Sequence, residues 1–155
     1  MNYQIAIVGH GNYPDGVVSA LKLLAGSTAN LTAFNLNEET THEKFTQDVS
    51  QFLDQNDHVI VFADMTGGAP HQITARLILE KKRPYQYIIS SAPVSLILDL
   101  YAQCQMGLDD STIDQTLKDS LSQSKSLIQL MPLHDPVIDS LTEKIAAEDD
   151  DEGGI

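Results

Sequence analysis

The sequence predicts an α/β domain built on a doubly wound, mostly parallel sheet of strand order 2-1-3-4, with helices on both faces. Three observations carry this prediction. Short β-branched runs alternate with stretches of helical apolar spacing, the links between them are short, and no repeat or low-complexity linker interrupts the alternation. At 155 residues the chain fits one domain of the usual size, about 100–200 residues.

Gln4 to Gly9 is an almost continuous apolar run and reads as a buried strand. A helix follows with Val17, Leu21 and Leu24 at i, i+4 and i+7, and Leu31 to Asn35 forms a second, shorter strand. The next helix opens at Thr40-Thr41-His42-Glu43, where Thr40 and Glu43 have capping-box spacing, and should bury Phe45, Val49, Phe52 and Leu53. His58 to Ala63, β-branched and aromatic, is the third strand; a glycine-rich turn then leads into a helix bearing Ile73 and Leu77. Tyr85 to Ser90 is the fourth strand. Pro93 suits the first turn of a helix that presents Val94, Ile97, Leu98 and Tyr101, and after Gly107 another helix carries Ile113, Leu117 and Leu121. Leu127 to Met131 fits a strand or a helix end equally well, so an extra C-terminal strand is possible there. Pro132 and Pro136 precede a last helical pattern through Ile138, Leu141 and Ile145. The expected organisation is therefore a domain over 1–131, a helical extension over 132–147 and an acidic tail over 148–155.

With 42% hydrophobic and 20% charged residues the chain can bury a core, which excludes a wholly disordered protein. Cys104 is the single cysteine, so neither an intramolecular disulfide nor a zinc site of several thiolates can form. Met1-Asn2-Tyr3-Gln4 lacks the basic start of a signal peptide, and no stretch approaches the roughly 20 apolar residues of a membrane span, so a cytoplasmic protein is expected. Nine basic against 22 acidic residues give 9 − 22 = −13, a charge that opposes nucleic acids and anionic membranes and favours a basic protein partner. Five of those acids, Glu148 to Glu152, form a run that reads as a solvated tail.

In a sheet of order 2-1-3-4 ligands bind outside the carboxyl ends of strands one and three, where the chain direction of the crossovers reverses. Two loops meet there: Gly9-His10-Gly11-Asn12 and Asp64-Met65-Thr66-Gly67-Gly68-Ala69-Pro70. A neutral imidazole can attack phosphorus through one ring nitrogen while a carboxylate accepts from the other, fixing the tautomer and stabilising the cation that forms. Gly67 and Gly68 allow close backbone approach, the free N–H groups of the next helix suit an anion, and Pro70 sits where a missing N–H costs nothing. Taken singly, each part has a bland reading: His10 as a packed side chain, Asp64 or Thr66 as a helix cap, the glycines as a tight turn. Their coincidence at one switch point predicts a site that holds and passes on a phosphoryl group. No G-x-x-x-x-G-K-[ST] or G-x-G-x-x-G is present, which argues against a nucleoside triphosphate or a dinucleotide, and neither a metal nor a cofactor is expected. His71 reads as a surface or partner-facing group, His42, His58 and His134 as lying away from the crevice, and Cys104 as an inert thiol. Ser90-Ser91-Ala92-Pro93 either caps the following helix or lines the pocket.

Through Gly9-His10-Gly11, Asp64 to Pro70 and Ser91-Ala92-Pro93-Val94, the chain resembles the enzyme IIA component of the mannose family of the bacterial phosphoenolpyruvate-dependent sugar phosphotransferase system (PTS). The resemblance runs from about Gln4 through the fourth helix. It implies that HPr phosphorylates His10, that Asp64 is the hydrogen-bond partner of His10, and that Thr66 with the backbone of Gly67, Gly68 and Ala69 holds the phosphoryl oxygens. The group would pass to enzyme IIB, and only indirectly to the membrane IIC and IID components. The resemblance also implies a homodimer with an exchanged C-terminal strand, for which Leu127 to Met131 is the place. Ala69 stands where the family often has Ser and His71 where an apolar residue is common, and since an acidic run stands where some family chains carry an Ala/Pro-rich linker, enzyme IIB is expected to be a separate chain. Three rivals remain: the phosphotransfer subunit of a dihydroxyacetone kinase, a histidine phosphatase, which would need Arg at the position of Gly9, and a noncatalytic sensor domain.

Overall fold

The computed structural model describes residues 2–132, Val137 and residues 139–143. Residues 1–125 form one compact unit and 126–155 a second. The first unit runs β1 (Gln4–His10), α1 (Tyr13–Ala25), β2 (Leu31–Leu36), α2 (His42–Gln55), β3 (His58–Ala63), α3 (Ala69–Lys81), β4 (Tyr85–Ser90), α4 (Val94–Met106) and α5 (Ile113–Ser126, its last residue at the unit boundary). All strand pairs are parallel and the order is β2-β1-β3-β4, as the sequence predicts.

The strand periodicity of two sends alternate residues to opposite faces, and this builds two cores. Tyr3, Ile5, Ile7, Ile60 and Phe62 pack with Val17 and Leu21 of α1 and with α4 and α5. Ala6, Val8, Val59, Val61 and Ala63 pack with Phe45, Val49 and Leu53 of α2 and Leu77 of α3. A sheet covered on both faces explains why β1 and β3 read as unbroken apolar runs.

Several local expectations need correction. Leu24 is exposed, because α1 turns only the Pro14, Val17 and Leu21 side inward. Phe52 is half-buried against Phe34, their rings edge to face with centroids 5.4 Å apart. The cap of α2 is Thr41, whose hydroxyl accepts from the Lys44 N–H at 3.1 Å, so position N3 is a lysine and no reciprocal Glu43 bond forms. In α4 the buried face runs through Leu96, Ile97, Leu100, Tyr101 and Cys104, while Val94 and Leu98 are only half-buried. Burial pushes the Cys104 thiol up to about 12, in keeping with an inert side chain.

At the amino ends of the strands Asp110 accepts from the Tyr3 hydroxyl at 3.1 Å and pairs with His58 Nε2 at 3.0 Å, and the His58 ring stacks on Tyr85. His58 is thus a structural tie, far along β3 from the residues that follow the strand.

In the second unit Leu127 to Met131 form neither helix nor strand, and Leu127, Ile128, Leu130 and Met131 are exposed. Val137 and residues 139–143 are helical. The remainder of the expected extension, with His134, Ile138 and Ile145, and the whole acidic tail lie outside the described residues.

Candidate active site

β1 and β3 are hydrogen-bonded neighbours with Val8 opposite Ala63, so the residues that follow each strand emerge side by side. The Asp64 N–H continues the ladder to the Val8 carbonyl at 3.1 Å, and Gly11 N–H donates to the Leu36 carbonyl at 2.9 Å. Gly11 has φ +58, a turn that lets the chain leave β1 at once for α1.

This framework brings His10 and Asp64 together. Asp64 Oδ2 lies 2.7 Å from His10 Nδ1 and accepts the His10 backbone N–H at 2.8 Å, while Oδ1 accepts the Met65 N–H at 2.8 Å. Because an ionised carboxylate only accepts, the contact assigns the ring proton to Nδ1 and leaves the Nε2 lone pair free. Burial raises the Asp64 pKa, but the bonds from the His10 backbone and ring and from Met65, with the His10 charge, outweigh it and hold the carboxyl below its usual range. Asp64 is therefore an anion throughout the neutral range. Its side chain is 11% exposed against 45% for His10, so the carboxylate backs the ring and the ring faces outward.

Two glycines make this approach possible. A Cβ at Gly68 would stand 2.6 Å from His10 Cε1 and 3.5 Å from Nε2, so the imidazole lies directly against the Gly68 backbone. A Cβ at Gly9 would meet Asp64 Cβ and Cγ at 3.1 Å and Tyr13 Cδ1 at 3.0 Å. An arginine there, as a histidine phosphatase requires, would crowd the carboxylate. Burial first, and the Asp64 charge second, hold the Tyr13 phenol above its usual range.

The turn before α3 is tied down by side chains. Thr66 is not a cap: its N–H donates to Ser91 Oγ at 3.0 Å, and its hydroxyl contacts Ser90 Oγ at 2.6 Å and Ser91 Oγ at 3.0 Å. Ser91 has φ +54, an uncommon conformation for a non-glycine residue, which places its hydroxyl beside the turn. Gly67, at φ +84, donates its N–H to His71 Nδ1 at 3.2 Å. The N-cap of α3 is Gly68, which brings no side chain, and Pro70 lies in the first turn. Among the described residues, the N–H groups of Gly68 and Ala69 meet no protein acceptor, and Gly68 lies against the His10 ring, so they are open donors at the start of α3 beside it.

A cleft of about 780 Å³ opens at His10 and is lined by Asn12, Asn37, Glu38, Glu39, His42 and Ala69 among others. His42 was expected away from the crevice; the β2–α2 connection instead folds over the carboxyl edge and brings the first residue of α2 to the His10 side. Asn37 Nδ2 donates to Asn12 Oδ1 at 3.0 Å and ties the two loops together. Glu38, Glu39 and the Thr66 contacts to Ser90 and Ser91 were not singled out as site features by the sequence, although Glu38-Glu39 in the loop after β2 was a readable sign. Among the described residues no group of three or more His, Cys, Asp or Glu could hold a metal, and no helix is long and apolar enough to cross a membrane.

A family model described as the PTS system fructose IIA component, EIIA-man, matches residues 4–117, from β1 into α5. The fold is similar to phosphotransferase system component EIIA from Streptococcus agalactiae, at 23% identity and TM-score 0.64 over 82% of this chain and 96% of that one. It is also similar to the PTS IIA protein associated with the fucose utilization operon from Streptococcus pneumoniae, at 20% identity and TM-score 0.69 over 84% and 93%. The mannose/sorbose specific IIA subunit from Enterococcus faecalis aligns at 12% identity and TM-score 0.70 over 87% and 98%. At such identities the structures share a fold, and the family match carries the assignment. The chain belongs to the EIIA-man family and is a phosphotransfer component of the sugar phosphotransferase system.

Proposed function

We propose that the chain is a histidine phosphoryl carrier that accepts a phosphoryl group from phospho-HPr on His10 Nε2 and delivers it to enzyme IIB. The observation that carries this reading is the Asp64 contact to Nδ1 at 2.7 Å, which leaves Nε2 as the ring nitrogen with a free lone pair on a side chain that is 45% exposed. The Nε2 lone pair forms the bond to phosphorus as the bond to the donor breaks, and that electron pair returns to the donor. The phosphorylated ring keeps its proton on Nδ1 and is cationic, and the Asp64 carboxylate offsets that charge. Transfer to enzyme IIB is the same step in reverse, with IIB as acceptor.

The open N–H groups of Gly68 and Ala69 at the start of α3 receive the phosphoryl oxygens. Thr66 and Gly67 contribute by exchanging the side-chain acceptors that now hold their N–H groups. Ala69 supplies backbone donation only. No cofactor takes part. Glu38 and Glu39 along the cleft suit docking of basic faces on HPr and enzyme IIB, and the net charge of −13 speaks against nucleic acid. The protein acts in the cytoplasm, as a carrier domain over 1–131 with a C-terminal extension and tail. It acts as a homodimer in which the exposed apolar run Leu127 to Met131 is covered by the second subunit.

Incubation with phosphoenolpyruvate, enzyme I and HPr should add the mass of one phosphate in an acid-labile, alkali-stable linkage. No mass gain with a competent HPr would overturn the reading. Asp64→Asn keeps the shape but loses the charge that offsets the phosphorylated ring. The rate of phosphoryl acceptance, followed by rapid-quench labelling, should drop about 10- to 100-fold, the value of a charge-assisted hydrogen bond.

A further inference from the structure

The residues after Pro70 turn back on the glycine turn. His71 Nδ1 accepts the Gly67 N–H at 3.2 Å, and Gln72 Nε2 donates to the Gly67 carbonyl at 2.8 Å. Both polar groups of one residue, held at a φ of +84 that favours glycine, are thus gripped from the first turn of α3. The next residue, Gly68, lies against the His10 ring on its Cε1 side, within 3.5 Å of Nε2 measured from an added Cβ. The Gly67 N–H therefore lies one residue from the backbone that touches the ring that would carry phosphate, yet it is already occupied. A backbone N–H has one proton to give. Donation to a phosphoryl oxygen requires that His71 let go.

We propose that His71 is a positioning residue that holds the Gly67 N–H in the unphosphorylated carrier and yields it to the phosphoryl group on His10. The inference rests on the carrier reading above. His71 acts as a neutral acceptor through Nδ1, with its proton on Nε2, and its release costs the phosphorylated state one hydrogen bond. This lowers the affinity of the carrier for its phosphoryl group and favours onward transfer. A residue without an acceptor at this position leaves the N–H to water and removes that cost.

The direct test is the scalar coupling across the hydrogen bond between Gly67 ¹⁵N and His71 ¹⁵Nδ1, measured by NMR on the full, labelled chain before and after phosphorylation by phosphoenolpyruvate, enzyme I and HPr. The coupling should be present in the unphosphorylated chain and lost in the phosphorylated one. His71→Phe keeps a ring but no acceptor, and should shift the equilibrium with phospho-HPr toward the phosphorylated chain about 2- to 10-fold. His71→Asn places an oxygen where Nδ1 was and should return that equilibrium toward the wild-type value. A coupling absent at the start, a coupling that survives phosphorylation, or an unchanged equilibrium in His71→Phe would overturn the proposal. Failure of the wild-type chain and every variant to gain phosphate would instead overturn the carrier reading, while the coupling in the unphosphorylated chain would still report the contact.

Discussion

Replacing His10 by glutamine should abolish phosphoryl acceptance while leaving the fold intact. Glutamine can still offer an N–H toward Asp64, so the carboxylate, which now accepts from the His10 ring at 2.7 Å, is not left facing an apolar gap. What disappears is the nitrogen lone pair, since an amide nitrogen is not a nucleophile at neutral pH. The His10 side chain is 45% exposed, so little apolar burial is lost. Intact-mass measurement after incubation with the phosphoryl donors should show no added phosphate, and urea denaturation should place the variant within about 1 kcal/mol of the parent chain, as for most exposed substitutions. Labelling that persisted at the wild-type level would place the nucleophile elsewhere.

Gly68→Ala should lower the rate of phosphoryl acceptance about 100-fold or more with little loss of stability. The added methyl would stand 2.6 Å from His10 Cε1, a separation that real atoms do not sustain, so the ring must move away from the carboxylate, from the open amides, or from both. A displacement of about 1 Å in a reacting group costs on the order of 10²-fold. Position 68 itself tolerates alanine, because its backbone lies in the extended region at φ −69 and ψ 161. Gly67→Ala gives the contrast. There a Cβ meets nothing within 4 Å but the backbone holds φ +84, so strain rather than collision is the penalty and stability should fall more than in Gly68→Ala. Rapid-quench kinetics beside urea denaturation on the two variants separates the effects.

The strands were legible because a sheet buried on both faces leaves almost no polar position in β1 or β3, and the alternation with helices fixes the crossovers. Helix faces were harder. The α4 segment Val94 to Leu100 is apolar at Val94, Leu96, Ile97, Leu98 and Leu100, so spacing alone pointed to Val94 and Leu98 beside Ile97, whereas packing into the core shared with α1 buries Leu96 and Leu100 instead. His10 and Asp64 were legible as a pair because each directly follows a strand at the switch point, where topology alone brings them together. His42 was not, since its place depends on how the β2–α2 loop folds over the sheet edge. Nor were the Ser91 and His71 contacts to Thr66 and Gly67. The first joins residues 25 positions apart through a strained φ, and the second depends on the turn of the Gly67 backbone. Glu38 and Glu39 are adjacent in the sequence, but only the fold assigns them to the cleft.

The most direct test of the carrier account is the position of the phosphoryl group on the His10 ring. Asp64 occupies Nδ1 at 2.7 Å and leaves Nε2 beside the Gly68 backbone, so ³¹P and ¹⁵N NMR of the chain phosphorylated through HPr should show a single phosphohistidine bonded at Nε2 of His10. A phosphoryl group found on Nδ1, or on any residue other than His10, would contradict it.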